Sequence, residues 1–115
     1  MDIVTFDDRS WAAIEGYDSR LAWARQLAHG TGEADVRLIR VEPGGEIGPH
    51  ETGRGQVLVP IIGEGWIREG DAEPVTLRIG EAAIVRRGVR HAKGSGSGMV
   101  AVMIQVGDLG PGGAL

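Results

Sequence analysis

Cysteine is absent from the 115-residue sequence, so the chain can form no disulfide, thiolate nucleophile or thiolate metal site. The apolar runs are all much shorter than the ~20 residues of a membrane-spanning helix. The first residues carry no basic segment followed by an apolar stretch, so we expect no signal peptide. An excess of basic residues is also missing, because 16 acidic and 12 basic side chains give a formal charge of −4. That balance argues against nucleic acid and anionic membranes as partners, and we expect a cytoplasmic protein.

The chain is long enough for one compact domain with one modest core. Hydrophobic residues make up 42% of it, which excludes a disordered chain. Glycine is the abundant residue: the 20 glycines are more than twice the usual share of about 7%. So many glycines between short apolar runs indicate many turns and short strands.

The pattern of short apolar runs separated by turns predicts an all-β domain. Turns follow one another every 8–12 residues, which is typical of a sandwich or barrel. We assign residues 1–107 to this domain and residues 108–115, which have little apolar content, to a flexible tail. The predicted strands cover residues 2–6, 34–42, 56–62, 66–68, 75–79, 82–86 and 99–106.

One segment, residues 19–29, fits two structures. Trp23 and Leu27 can share a helical face that Ser19 would cap, but the same residues also alternate as a strand. We favour the strand because the rest of the chain is β. Residues 29–32 read as a turn, with His29 in solvent.

Functional groups are concentrated around two histidines. His50 follows a Gly-Pro turn, and Thr52 and Gln56 fall on the same side of an extended chain. His91 follows a later turn at Gly88. Two histidines brought together from separate strands, with a polar amide nearby, predict an incomplete metal site, since imidazole suits zinc, iron, copper, nickel and manganese.

The sequence around these residues resembles the cupins. In PGGEIGPHETGRGQVLVPIIGEG, residues 43–65, His50 takes the first histidine position of the first cupin motif and Gly63 its closing glycine. Thr52 stands in place of the second histidine and Gln56 in place of the glutamate. In the second motif Gly80, Gly88 and His91 match in register, whereas Arg86 replaces the proline and Ser95 the asparagine.

The resemblance implies a single-domain jelly-roll barrel with a pocket at its mouth. It implies that His50, Gln56 and His91 hold one divalent transition metal (Zn, Fe, Mn, Ni or Cu), and that Thr52 is a wall residue. Since jelly-roll sheets leave exposed edges and cupins commonly pair, we also expect a homodimer.

Other residues near the motifs are candidates for the pocket. Arg54 and Arg90 would favour a carboxylate or phosphate ligand, although arginines at strand ends are also commonly only solvated. Trp66 is a candidate pocket wall or an ordinary core aromatic. The glycine–serine run at residues 94–98 is expected to be a flexible hairpin.

Two functions of different classes remain open. In the first, a metal held by the histidines acts on a small, anionic molecule as a Lewis acid or oxygen-activating centre. In the second, the pocket has no metal, and Thr52 and Gln56 form hydrogen bonds to a ligand in a binding or sensor protein. The sequence does not decide whether the protein is an enzyme.

Overall fold

The computed structural model describes residues 1–7 and 10–111, and these residues form strands and turns without any helix. That part of the chain therefore contains no helix long and apolar enough to cross a membrane. The predicted all-β class is confirmed. In chain order the strands are β1 Asp2–Thr5, β2 Ala12–Ala13, β3 Trp23–Ala24, β4 Ala28–Val41, β5 Glu46–Glu51, β6 Gly55–Gly63, β7 Gly65–Glu69, β8 Val75–Leu77, β9 Glu81–Val85, β10 Arg90–Gly94 and β11 Met99–Pro111.

The strands form two main antiparallel sheets. One has five strands in the order β1-β9-β6-β11-β4, and the other has four in the order β5-β10-β7-β8. β2 and β3 form a separate pair of two residues each. The long strands β4 and β11 are paired almost throughout, so the five-stranded sheet ends in a fourteen-residue edge strand.

The core lies between the two main sheets. Leu58 and Val85 from the five-stranded sheet pack with Ile67 and Leu77 from the four-stranded sheet, and none is more than 1% exposed. Because alternate residues of a strand share a face, Gln56 lies on the same side of β6 as Leu58. Polar side chains therefore enter the layer that holds the core.

Glycines of the two sequence motifs form turns that other residues could not form without strain. Gly63 has a φ of 70°, and a Cβ atom there would lie 2.2 Å from the carbonyl oxygen of Gly98. Gly88 has a φ of 84° in the turn between β9 and β10. Positive φ values favour glycine. Gly63 ends β6, which carries Gln56, and Gly88 precedes β10, which carries His91, so the two glycines fix where these strands end and begin.

Residues 19–29 contain strand rather than helix, which confirms the favoured alternative. β3 occupies two of these residues, and β4 begins within the segment at Ala28. The predicted turn at residues 29–32 is wrong, because His29 and Gly30 pair with Gly110 and Leu109 of β11. A long pairing partner overrides the local turn signal of two glycines. His29 is exposed, as expected.

The predicted tail begins too early. β11 continues past residue 107, and Asp108 and Leu109 pair with Thr31 and Gly30 of β4. Leu109 also packs against the cluster of Val57 and other residues on the outer side of the sheet. Little apolar content was needed here, since pairing with β4 satisfies the backbone. Residues 112–115 of the predicted tail lie outside the described residues.

Candidate functional site

His50 and His91 are direct neighbours on β5 and β10, and their ring centroids are 4.8 Å apart. His91 is 1% exposed, whereas His50 is open to solvent. The Nδ1 atom of each ring lies near the carbonyl oxygen two residues earlier: 2.8 Å from Gly48 for His50 and 3.3 Å from Val89 for His91. These carbonyls place a proton on Nδ1, so each Nε2 keeps its lone pair in the neutral ring.

Gln56 and Thr52 are both buried and bonded to each other. Nε2 of Gln56 donates to Oγ1 of Thr52 at 3.3 Å, and the Thr52 hydroxyl donates to the carbonyl oxygen of Arg54. Because the amide nitrogen is used by Thr52, the oxygen of Gln56 is left as the acceptor on the other side. Thr52 therefore sets the orientation of the Gln56 amide.

The side-chain oxygen of Gln56 accepts a hydrogen bond from Lys93, a residue that the sequence analysis missed. Nζ of Lys93 lies 2.9 Å from Oε1 of Gln56 and 3.0 Å from Nε2 of His91. An ammonium group has only donors, so both of these atoms accept. Lys93 is 1% exposed and joins the two sheets through Gln56. The five residues His50, Thr52, Gln56, His91 and Lys93 form the Lys93 site.

A signal for Lys93 was present in the sequence. It is the only lysine in the chain, and it follows His91 by two residues on a strand, which places both side chains on one face. Lysine is also among the residues least often buried completely, so a lysine between two small residues, Ala92 and Gly94, on a strand that carries a motif histidine is itself informative.

The Lys93 site carries a positive charge, and no carboxylate of the described residues lies against it. Within residues 1–7 and 10–111, the bonding partners of the Lys93 ammonium are an amide and an imidazole. Burial lowers the pKa of Lys93 to about 8. Burial also lowers the pKa of His91 to about 4, and the charge of Lys93 acts in the same direction. At neutral pH the site therefore holds a charged Lys93 beside a neutral His91.

The structure does not bring the other predicted pocket residues to the Lys93 site. Trp66 pairs with Gly94, whereas Lys93 pairs with Ile67 of the core. Trp66 therefore lies on the opposite face of its sheet, beneath the Arg68 guanidinium, whose carbon is 5.8 Å from the ring centroid. Strand alternation therefore directs Trp66 away from the Lys93 site, and its role as a pocket wall stays a prediction.

The two arginines also lie apart from the buried lysine. Arg54 makes an ion pair with Asp35 of β4, and Glu33 is 3.9 Å away. Arg90 is exposed and alternates with His91 on β10, so it faces away from the barrel interior. The charge of Arg54 is already paired, and its role toward a ligand stays a prediction, as does that of Arg90.

No protein-family model matches the sequence, and no curated protein matches it either. Solved structures do match. A cupin-like protein from Thermotoga maritima is 22% identical with a TM-score of 0.62, over 77% of this chain and 76% of that one. An RmlC-like cupin with a double-stranded β-helix fold from Methanocaldococcus jannaschii is 14% identical with a TM-score of 0.61, over 86% and 90%. A cupin superfamily protein from Desulfitobacterium hafniense is 16% identical with a TM-score of 0.61, over 83% and 84%.

The chain has the cupin fold. The predicted jelly-roll architecture is thereby confirmed, and the Lys93 site lies where the two motif segments meet. His50 and Gln56 come from the first segment, and His91 comes from the second.

The donor atoms of the Lys93 site, as arranged, do not fit a divalent cation. Two of the three predicted ligand atoms, on Gln56 and His91, already accept hydrogen bonds from the Lys93 ammonium. A second cation at those atoms would be repelled at short distance. Within residues 1–7 and 10–111, no group of three or more histidine, aspartate or glutamate side chains is placed to hold a metal.

Proposed function

We propose that this cupin binds a small anionic molecule at the Lys93 site without a metal, as a binding or sensor protein. The observation that carries the proposal is the buried Lys93 ammonium, which no carboxylate of the described residues neutralises. A buried charge without a counter-charge is unfavourable, and an anionic ligand would supply the missing charge.

The exposure of His50 supports an entry route. His50 is open to solvent and lies directly beside the buried His91. An ammonium group has three donors, and the described residues supply Lys93 with two acceptors. The third donor is available to a ligand oxygen. Because Nδ1 of His50 faces the carbonyl oxygen of Gly48, its Nε2 atom is the one directed to a ligand, so a carboxylate that also carries a hydroxyl group matches the site best.

Metal binding by His50, Gln56 and His91 is the competing function. Hydrogen bonding of both Nδ1 atoms to backbone carbonyls favours it, since metal-bound histidines are commonly oriented in this way. A zinc, iron, manganese, nickel or copper ion there would supply Lewis-acid or oxygen chemistry. The ion would first have to displace Lys93 from two of its donor atoms.

Ligand binding by tag-free protein tests the proposal. We expect small carboxylates and hydroxycarboxylates to raise the melting temperature of the wild type, and their uncharged amides to leave it unchanged. Lys93→Met should abolish the effect. Arg78→Met removes the same charge from an exposed side chain and should retain it.

Elemental analysis of the same preparation separates the two functions. If the wild type contains about one metal per chain and His50→Ala contains none, the competing function is correct. If neither anions nor their neutral analogues stabilise the wild type, the proposed function is wrong.

A further inference from the structure

We infer that the Lys93 ammonium stands in for a metal ion in this barrel, so that a neutral residue at position 93 converts the Lys93 site into a metal site. The inference concerns the same site as the proposed function, but it does not require that an anion binds there. It rests on which atoms Lys93 contacts.

Lys93 contacts the atoms that a transition metal would use. Imidazole nitrogen and amide oxygen are both metal donors, and Nε2 of His91 and Oε1 of Gln56 lie 3.0 and 2.9 Å from Nζ. Each of these two donor groups is oriented by a hydrogen bond at its other polar atom. Val89 binds the other nitrogen of the His91 ring, and Thr52 binds the amide nitrogen of Gln56. The two lone pairs therefore converge on one cation, and that cation is part of the chain.

A third donor is within reach of the same point. The ring of His50 is 4.8 Å from that of His91 between centroids, and Gly48 holds its Nδ1. Removal of the Lys93 charge would leave three neutral donors and no resident cation. The repulsion that keeps a divalent ion out would be gone, while the orientation of the donors by Gly48, Val89 and Thr52 would persist.

Cobalt titration of three variants at position 93 tests this inference. Lys93→Gln has nearly the same length without the charge, Lys93→Ala removes the side chain beyond Cβ, and Lys93→Arg keeps the charge. We expect the first two to bind about one Co²⁺ per chain with an affinity at least about 100-fold above that of the wild type and Lys93→Arg. Adding His50→Ala to Lys93→Gln should remove this gain, together with the visible absorption of imidazole-bound cobalt.

The outcomes separate this inference from the proposed function. If both neutral variants fold, as judged by circular dichroism, and bind Co²⁺ no better than the wild type, the inference is wrong. It is also wrong if the wild type binds Co²⁺ through His50 as tightly as Lys93→Gln does. Failure of carboxylates to bind the wild type would overturn the proposed function and leave the gain of metal binding as the test of the inference. If Lys93→Ala does not fold, Lys93→Gln decides alone.

Discussion

Lys93 on β10 donates a hydrogen bond across the barrel interior to Gln56 on β6, with 2.9 Å between Nζ and Oε1. The two residues are 37 positions apart in the sequence and belong to different sheets. An amide accepts this bond but does not neutralise the charge. The stability of the sheet-to-sheet contact and the proposed affinity of the site for anions therefore depend on the same pair of residues.

Substitution of Gln56 should separate these two properties. Gln56→Leu leaves Lys93 with one described partner, and we expect it to lower the free energy of unfolding by about 1–3 kcal/mol. Gln56→Glu supplies a carboxylate to the ammonium and should be more stable than Gln56→Leu in urea unfolding. The same glutamate should reduce the affinity for carboxylates at least about tenfold, because it occupies the charge that they would use.

Equal affinity for carboxylates in wild type and Gln56→Glu would contradict this prediction. Thr52→Ser keeps the hydroxyl that orients the Gln56 amide, so it serves as the matched control. It should leave both the affinity and the unfolding free energy close to those of the wild type.

Ser95 closes the turn between β10 and β11, and its removal should be costly. Its hydroxyl donates to the carbonyl oxygen of Glu64 at 2.6 Å and accepts from the backbone nitrogen of Gly98 at 2.8 Å. Ser95 is 1% exposed, and Ser95→Ala leaves the carbonyl of Glu64 and the backbone nitrogen of Gly98 without this partner. We expect a loss of about 1–3 kcal/mol in urea unfolding. Ser97→Ala, in an exposed position of the same turn, should change stability by less than about 0.5 kcal/mol.

Much of the fold is predictable from this sequence because its turns are specified locally. Gly63 and Gly88 stand where the backbone has positive φ, and apolar residues fill the strands between them. The two histidines are also predictable, since their spacing from these glycines agrees with two motifs at once. Each of these features depends on residues that are close together in the chain.

The features that sequence reasoning missed depend on distant contacts. Lys93 becomes part of the site only because β10 and β6 face each other across the interior, and local periodicity does not reveal that pairing. The extension of β11 to residue 111 likewise depends on the start of β4, which lies about 80 residues earlier in the chain. Local composition predicted a turn at residues 29–32 and a tail from residue 108, whereas the backbones of these two segments pair as neighbouring strands.

Acidification should destabilise the protein through His91. Its pKa is lowered to about 4 in the folded protein, first by burial and then by the charge of Lys93, from an ordinary value of 6.5. Between pH 6.5 and 4 the unfolded chain therefore binds a proton that the folded chain does not. Stability should fall as the pH is lowered through this window, by up to about 3 kcal/mol from this residue.

Urea unfolding at a series of pH values measures this decrease in the free energy of unfolding. His91→Gln cannot take up the proton, so its stability should change less between pH 6.5 and 4 than that of the wild type. Parallel curves for the two proteins over this window would contradict the assignment to His91.

Alkaline conditions should stabilise the protein through Lys93. Its folded pKa is lowered to about 8 by burial, from an ordinary value of 10.5. Between pH 8 and 10.5 the unfolded chain holds the proton and the folded chain has lost it, so stability should rise with pH, by at most about 3 kcal/mol. Lys93→Met should lack this rise in the same urea titration, whereas Arg78→Met should keep it.

Anion binding should weaken between pH 8 and 10.5 in the wild type, because the ligand loses the charge of Lys93 as its counter-charge. A carboxylate affinity that is constant from pH 7 to 10 would show that the charge of Lys93 is not what binds the anion.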